Sequence, residues 1–203
     1  PYAAFADCPW ESAYWGYTRV EDALPRVKAL TGKALELDDS LAEAHRALGA
    51  VKFYFDWDWS GAEREYKRAI DLNPNYADVH RTYGYYLAYM GRMEQSLAEF
   101  YRAVQLDPLS LIINASLASG LGYAHQYDEA IEQLRRTLDL DPNYAYGHYT
   151  LARMYMEKSM FSEAVQESQK ALSLSAGDPR YVRRVAQTFA AAGRKAEALK
   201  LLG

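Results

Sequence analysis

Small residues recur along this 203-residue chain at a fixed step of 34 positions: Ala62, Ser96, Ala130, Ala164 and Ala198. A second series with the same step runs Ala69, Ala103, Thr137 and Ala171, and a third runs Pro74, Pro108 and Pro142. Each of those prolines follows Asn or Asp, with Leu one position further back. Three registers sharing one period exceed what simple amphipathicity produces. They describe one supersecondary unit copied along the chain, whose copies bury apolar faces against each other.

Each copy reads as two helices. Gly49, Gly84, Ala118, Ala152 and Ala186 stand mid-way along the first helix, each behind a bulkier residue (Leu48, Tyr83, Leu117, Leu151, Val185). A small residue there lets the second helix approach closely. In the second helix, the Ala or Ser of the first series precedes a bulky residue by four positions (Tyr66, Phe100, Leu134), which puts both on one inward face. Proline disfavours helix in the residue before it and so ends the second helix. Gly91 and Gly193 supply turns between the helices.

This arrangement resembles the tetratricopeptide repeat, whose pattern is Trp-x2-Leu-Gly-x2-Tyr, then Ala-x3-Phe, then a late Pro. Tyr83, Gly84, Ser96, Phe100, Ala103 and Pro108 fall at the family spacings, while His45, His80, Asn114, His148 and Val182 occupy the place of its Trp. The resemblance implies an all-α fold, a right-handed α-solenoid of about five to six hairpins in one array spanning 1–203. Residues 2–39 read as a degenerate first repeat, with Pro25 in the first turn of its second helix and Pro9 and Trp10 obscuring its start. Repeats at 40–76, 77–110, 111–144 and 145–178 follow, and 179–203 reads as a truncated sixth. It ends on the apolar Leu199, Leu201 and Leu202, an open hairpin suited to self-association.

A formal net charge of −4 supplies no whole-molecule attraction for nucleic acid or anionic lipid. No apolar run approaches the roughly 20 residues that span a bilayer. The single cysteine, Cys8, has no disulfide or zinc partner, which fits a reducing, cytoplasmic setting. The chain opens at Pro1 directly in helical sequence and reads as a segment of a longer protein. His45, His80 and His148 hold one repeat position in three hairpins, too far apart to share a metal ion, and read as packing; His125 reads as a solvated turn residue. Carboxylates such as Asp128, Glu129 and Glu163 fall at helix starts, where they favour the dipole. No phosphate loop, nucleophile motif or metal cluster is present, so no catalytic, cofactor or metal residues are assigned.

The resemblance places the first helices on a concave face. Counting repeat positions, that face is expected to hold Arg46, Ala50 and Tyr54; Arg81, Tyr85 and Tyr89; Ala115, Ser119 and Tyr123; Tyr149, Arg153 and Met156; and Arg183 and Gln187. Tyr and Arg are enriched at interface hot spots, and arginine grips carboxylates bidentately. The expected partner is therefore a protein or peptide, with an acidic segment favoured; some of these tyrosines are also expected to fill gaps between hairpins. The chaperone adaptors' Lys–Asn–Asn–Lys–Arg clamp is not reproduced, since Arg46 and Arg81 replace Lys and Ala50 and Tyr85 replace Asn.

The segment Phe55-Asp56-Trp57-Asp58-Trp59 carries a one-residue insertion. It is either an aromatic knob for a partner or a packed turn lying against Trp10 and Trp15; packing is the favoured expectation. The stretches Phe53–Ala62 and Asp107–Ser110 resemble the tetratricopeptide portion of bacterial multidomain signalling proteins, which implies a docking or sensory role. The alternative is a structural array that self-associates or spaces other domains.

Overall fold

A computed structural model describes residues 19–202, and these are helical almost throughout. Eleven helices occur among them: α1 (Val20–Leu37), α2 (Ala42–Tyr54), α3 (Trp59–Leu72), α4 (Ala77–Tyr89), α5 (Met93–Leu106), α6 (Leu111–Tyr123), α7 (Tyr127–Leu140), α8 (Ala145–Glu157), α9 (Phe161–Leu174), α10 (Pro179–Ala191) and α11 (Lys195–Leu202). Cys8, Pro9, Trp10 and Trp15, with the first helix of the degenerate repeat, lie outside the described residues. The fold class is all-α, built from paired antiparallel helices. The chain divides into two compact units, Pro1–Leu106 and Asp107–Gly203.

The helix expected to begin near Pro25 begins earlier, at Val20, so Pro25 lies inside α1 rather than in its first turn. The Arg19 carbonyl accepts from the Asp22 and Ala23 N–H groups, which closes a full turn before the proline. Proline then removes one donor, and its ring crowds the Glu21 carbonyl, in a helix already under way.

In the first unit, α2 packs on α3 and α4 on α5 with small residues at the crossing. A Cβ added at Gly49 would lie 2.9 Å from Cε1 of Tyr66, and one added at Gly84 would lie 3.0 Å from the Phe100 ring. The helices therefore approach as closely as the backbone allows, and Tyr66 and Phe100 fill the space beneath. Ser96 donates to the Gly84 carbonyl at 2.8 Å, tying α5 to α4 inside the core. Ala62, Ala69 and Ala103 are fully buried, as the period requires. The Tyr66 hydroxyl has no hydrogen-bond partner among the described residues, so the ring's volume is what the site uses. In the second unit, Ala130, Leu134, Ala164 and Ala171 are buried likewise, and Val165, Val185, Ala186, Phe189 and Ala198 form one apolar cluster.

The turns inside the hairpins share one geometry. Trp57, Gly91, His125, Ser159 and Gly193, each 34 residues after the last, all have positive φ between 57° and 79°. Around Gly91, the Arg92 N–H reaches the Leu87 carbonyl and the Gly91 N–H reaches the Ala88 carbonyl, a Schellman closure. The same pair of bonds closes the turns at His125, Ser159 and Gly193. Left-handed backbone is costly for any residue with a Cβ. Ser159→Gly is therefore expected to stabilise the chain by about 1 kcal/mol, read by urea denaturation. Unchanged or reduced stability would contradict this account of the turn.

Candidate functional site

Helical spacing puts Arg81, Tyr85 and Tyr89 along one face of α4, and Arg46 and Tyr54 along one face of α2. Arg46 is 5% exposed; its Nε donates to the Tyr76 hydroxyl at 3.0 Å and lies 3.3 Å from Asp78 Oδ2. Arg81 Nε donates to the other Asp78 oxygen at 2.5 Å. One carboxylate thus gathers two arginines from successive first helices. Burial pushes the Asp78 carboxyl up, but Arg81 and Arg46 more than offset this and hold it below the usual carboxylate value. Around this cluster, Tyr54 and Tyr89 flank Phe53, with ring centroids at 4.6 and 5.5 Å. Tyr85 stands edge-on to Phe100 at 5.0 Å. Tyr54 and Tyr85 are half-buried, whereas Tyr89 is 57% exposed.

In the second unit, Tyr149 lies beneath the Arg184 guanidinium, 4.3 Å from its ring centroid, with the Tyr146 and Tyr181 rings at 6.1 Å. Arg153 follows one turn later on α8 and is half-buried, and Tyr123 is exposed at the end of α6. Ser119 departs from expectation. It is 1% exposed, and its hydroxyl is spent on the Ala115 carbonyl at 3.0 Å, because a short side chain inside a helix bonds back to its own turn. Arg183 and Gln187 line a groove of about 450 Å³ between α10 and α11.

The sequence reading missed Asp78 and Arg184. Asp78 stands three residues before Arg81, the spacing of a helical ion pair, which was a usable signal. Arg184 has no comparable local cue, since its partner Tyr149 lies in the preceding hairpin.

The tryptophans also depart from expectation: Trp57 is 72% exposed and Trp59 half exposed. The Asp58 N–H reaches back to the Lys52 carbonyl, one residue further than in the other turns. Trp57 takes the left-handed turn position that is exposed in every hairpin, as at Gly91, His125, Ser159 and Gly193.

Two family profiles match the chain, one described as tetratricopeptide repeat over residues 58–110 and one as TPR repeat over residues 123–159. The chain carries tetratricopeptide repeats over these two stretches. No curated protein matches it. Among solved structures, it is similar to PilW, a type IV pilus biogenesis factor (20% identity, 97% of this chain and 90% of that one, TM-score 0.74). It is also similar to TTC0263, a thermophilic TPR protein in Thermus thermophilus (18% identity, 91% and 99%, TM-score 0.75). A third is YrrB, a TPR protein with an unusual peptide-binding site (17% identity, 85% and 88%, TM-score 0.55). At these identities the likeness is one of fold. No helix among the described residues is long and apolar enough to cross a membrane.

Where the tetratricopeptide pattern has Trp, this array builds a polar bracket. His80 Nδ1 lies 2.5 Å from Glu99 Oε2, and its Nε2 lies 3.0 Å from the Pro74 carbonyl. His148 repeats this with Glu167 and Pro142, and His45 with Glu65 and the Asp39 carbonyl. In the fourth repeat Asn114 does the same with neutral amides, donating to the Pro108 carbonyl and accepting from Gln133. At His80 both ring nitrogens face oxygen acceptors, an arrangement that favours the imidazolium. For His80, burial pulls the pKa down, but Glu99 and the Pro74 carbonyl more than offset it, leaving the value raised. Its stabilisation is therefore complete below the unfolded value and fades as pH rises through the folded one. Stability is expected to fall as pH rises from about 6.5, the ordinary imidazole value, through the raised folded one, and His80→Asn with Glu99→Gln, copying the fourth repeat, to flatten that fall in urea titrations. An identical pH profile in the double variant would contradict the bracket's role.

Proposed function

We propose that this chain is a protein-interaction module that captures an acidic segment on the Arg/Tyr-bearing faces of its first helices, the faces expected to be concave. The observation that carries the reading is the Asp78-held Arg81 beside Tyr85 and Tyr89 on α4. A guanidinium fixed by a carboxylate loses little rotamer freedom on binding, and neighbouring tyrosines supply large amphipathic surface at low entropic cost. Tyr54 extends this face in the first unit. Tyr123, Tyr149 and Arg153 supply the corresponding groups in the second, with Arg46 holding Asp78 from beneath rather than touching the partner. YrrB, a protein of similar fold with a peptide-binding site, supports the reading. The resemblance to bacterial signalling proteins favours a docking or sensory part in a larger regulatory protein.

The test uses two ten-residue extended peptides, one rich in glutamate and its lysine-rich counterpart, followed by fluorescence anisotropy. The acidic peptide is expected to bind at least about tenfold more tightly, and its affinity to fall with added salt. Arg81→Gln with Arg153→Gln, which leaves Asp78 paired with Arg46, should cost about tenfold or more while the helical circular dichroism of the parent is retained. Equal binding of the two peptides, or no loss in the double variant, would overturn the reading.

A further inference from the structure

The first-helix faces leave the second helices unassigned, and one gap between second helices is open. Between α3 and α5, wholly inside the first unit, lies a groove of about 470 Å³. Its floor is apolar, made by the buried Tyr83 and Leu87 of α4 and the half-buried Ile70 of α3.

The matching gap two repeats later shows why this one is open. Between α7 and α9, Arg135 Nη2 donates to the Tyr155 hydroxyl at 3.0 Å, so a second-helix side chain bridges to the next first helix. Lys67 and Leu87 hold those two positions in the first unit. Leu87 offers no acceptor, and Lys67 turns instead to Glu63 on its own helix, at 2.9 Å. On the groove's wall the exposed Ala98 stands where α9 carries the longer Gln166. Three residue choices together leave room over the apolar floor.

The groove is also charged unevenly. Arg92 and Lys67 meet the same oxygen of Glu63, at 2.8 and 2.9 Å, and the Tyr83 hydroxyl donates to it at 3.1 Å. These donors, Arg92 foremost, hold the Glu63 carboxyl down at about 2, so it carries a full charge. One carboxylate nonetheless stands against two cations, whose side chains remain 35% and 59% exposed. One turn beyond Lys67, roughly 6 Å along α3, Asp71 is exposed and has no ion pair among the described residues. Glu99 also lines the groove but is engaged by His80.

We propose that this groove is a second docking surface, taking a helical partner segment that carries an acidic, an apolar and a basic residue in order along one face. The acidic residue meets Lys67 and Arg92, the apolar one covers Ile70 and Leu87, and the basic one meets Asp71. Side chains on one face of a helix are separated along its axis in the same way, which suits a helix laid between two others. An all-acidic segment, the partner assigned to the first-helix faces, would meet Asp71 and Glu99 here and be disfavoured.

Nuclear magnetic resonance of the methyl-labelled 203-residue chain tests this. The probe is an alanine-based helical peptide of about 15 residues with Glu, Leu and Lys at i, i+4 and i+7, and its counterpart replaces the Lys by Glu. The probe is expected to shift the Ile70, Leu87 and Ala98 methyl signals, and the counterpart to bind there about tenfold more weakly. Ala98→Gln, copying α9, should weaken the probe by about tenfold, because the longer side chain occupies the groove. Asp71→Lys should reverse the preference between the two peptides. Both positions are exposed, so the helical circular dichroism of the parent should be retained in each variant. Arg81→Gln with Arg153→Gln should leave the probe's shifts unchanged, which separates this surface from the first-helix faces. Unmoved methyls, equal shifts with both peptides, or an unchanged response in Ala98→Gln or Asp71→Lys would each overturn the proposal. So would loss of the shifts in the double arginine variant, or shifts that grow with protein concentration alone, which would seat a second copy in the groove.

Discussion

The closeness of the two helices in each hairpin is the constraint on which everything else rests. Without a Cβ at Gly49 and Gly84, α3 and α5 come close enough for the Tyr66 and Phe100 rings to lie directly against the first-helix backbone. The repeat positions also match in size. Glycine stands opposite Tyr66 and Phe100, and where the partner shrinks to Leu134, Ser168 or Leu202 the glycine becomes Ala118, Ala152 or Ala186. Interiors packed to crystal density tolerate a methyl only where another atom is withdrawn. Once that crossing is fixed, the second helix has no freedom to choose which residues of the first remain outside.

The polar bracket and the turn follow from the same crossing. Histidine reaches from the first helix to a carboxylate on the second and to the loop carbonyl behind it, so it fixes the hairpin's entry as the Gly–aromatic contact fixes its middle. The left-handed turn fixes its exit. Each device accepts substitutes of the same physical kind: Asn114 with Gln133 for the ionic pair, and Ser159 or His125 for glycine. At Trp57 the same position holds an indole that is 72% exposed.

Much of this was legible in the sequence because a 34-residue period averages over single-site noise. The buried alanines, the first-helix small residues and the all-α hairpins follow from spacing alone. Side-chain direction was less legible. Ser119 shares the register of Tyr85 and Arg153 yet turns inward, since hydroxyls short enough to reach their own helix do so. The first-helix arginines read as bare cations, but Asp78 binds two of them, a contact between hairpins that spacing within one hairpin does not reveal. The tryptophans read as packed because large aromatics usually are; Trp57 instead takes the left-handed turn position, which is exposed in every hairpin and rests on a backbone angle that no residue pattern announces.

The division between residues that build hairpins and residues that meet a partner is most directly tested by nuclear magnetic resonance of the isotope-labelled chain titrated with a glutamate-rich peptide. The largest shifts should fall on the Arg81 and Arg153 Nε–H signals and on the rings of Tyr85, Tyr89 and Tyr149, with Phe100 and the His80 and His148 imidazoles unmoved. Shifts concentrated instead on outward second-helix residues such as Tyr101, Arg102 and Arg136 would contradict it.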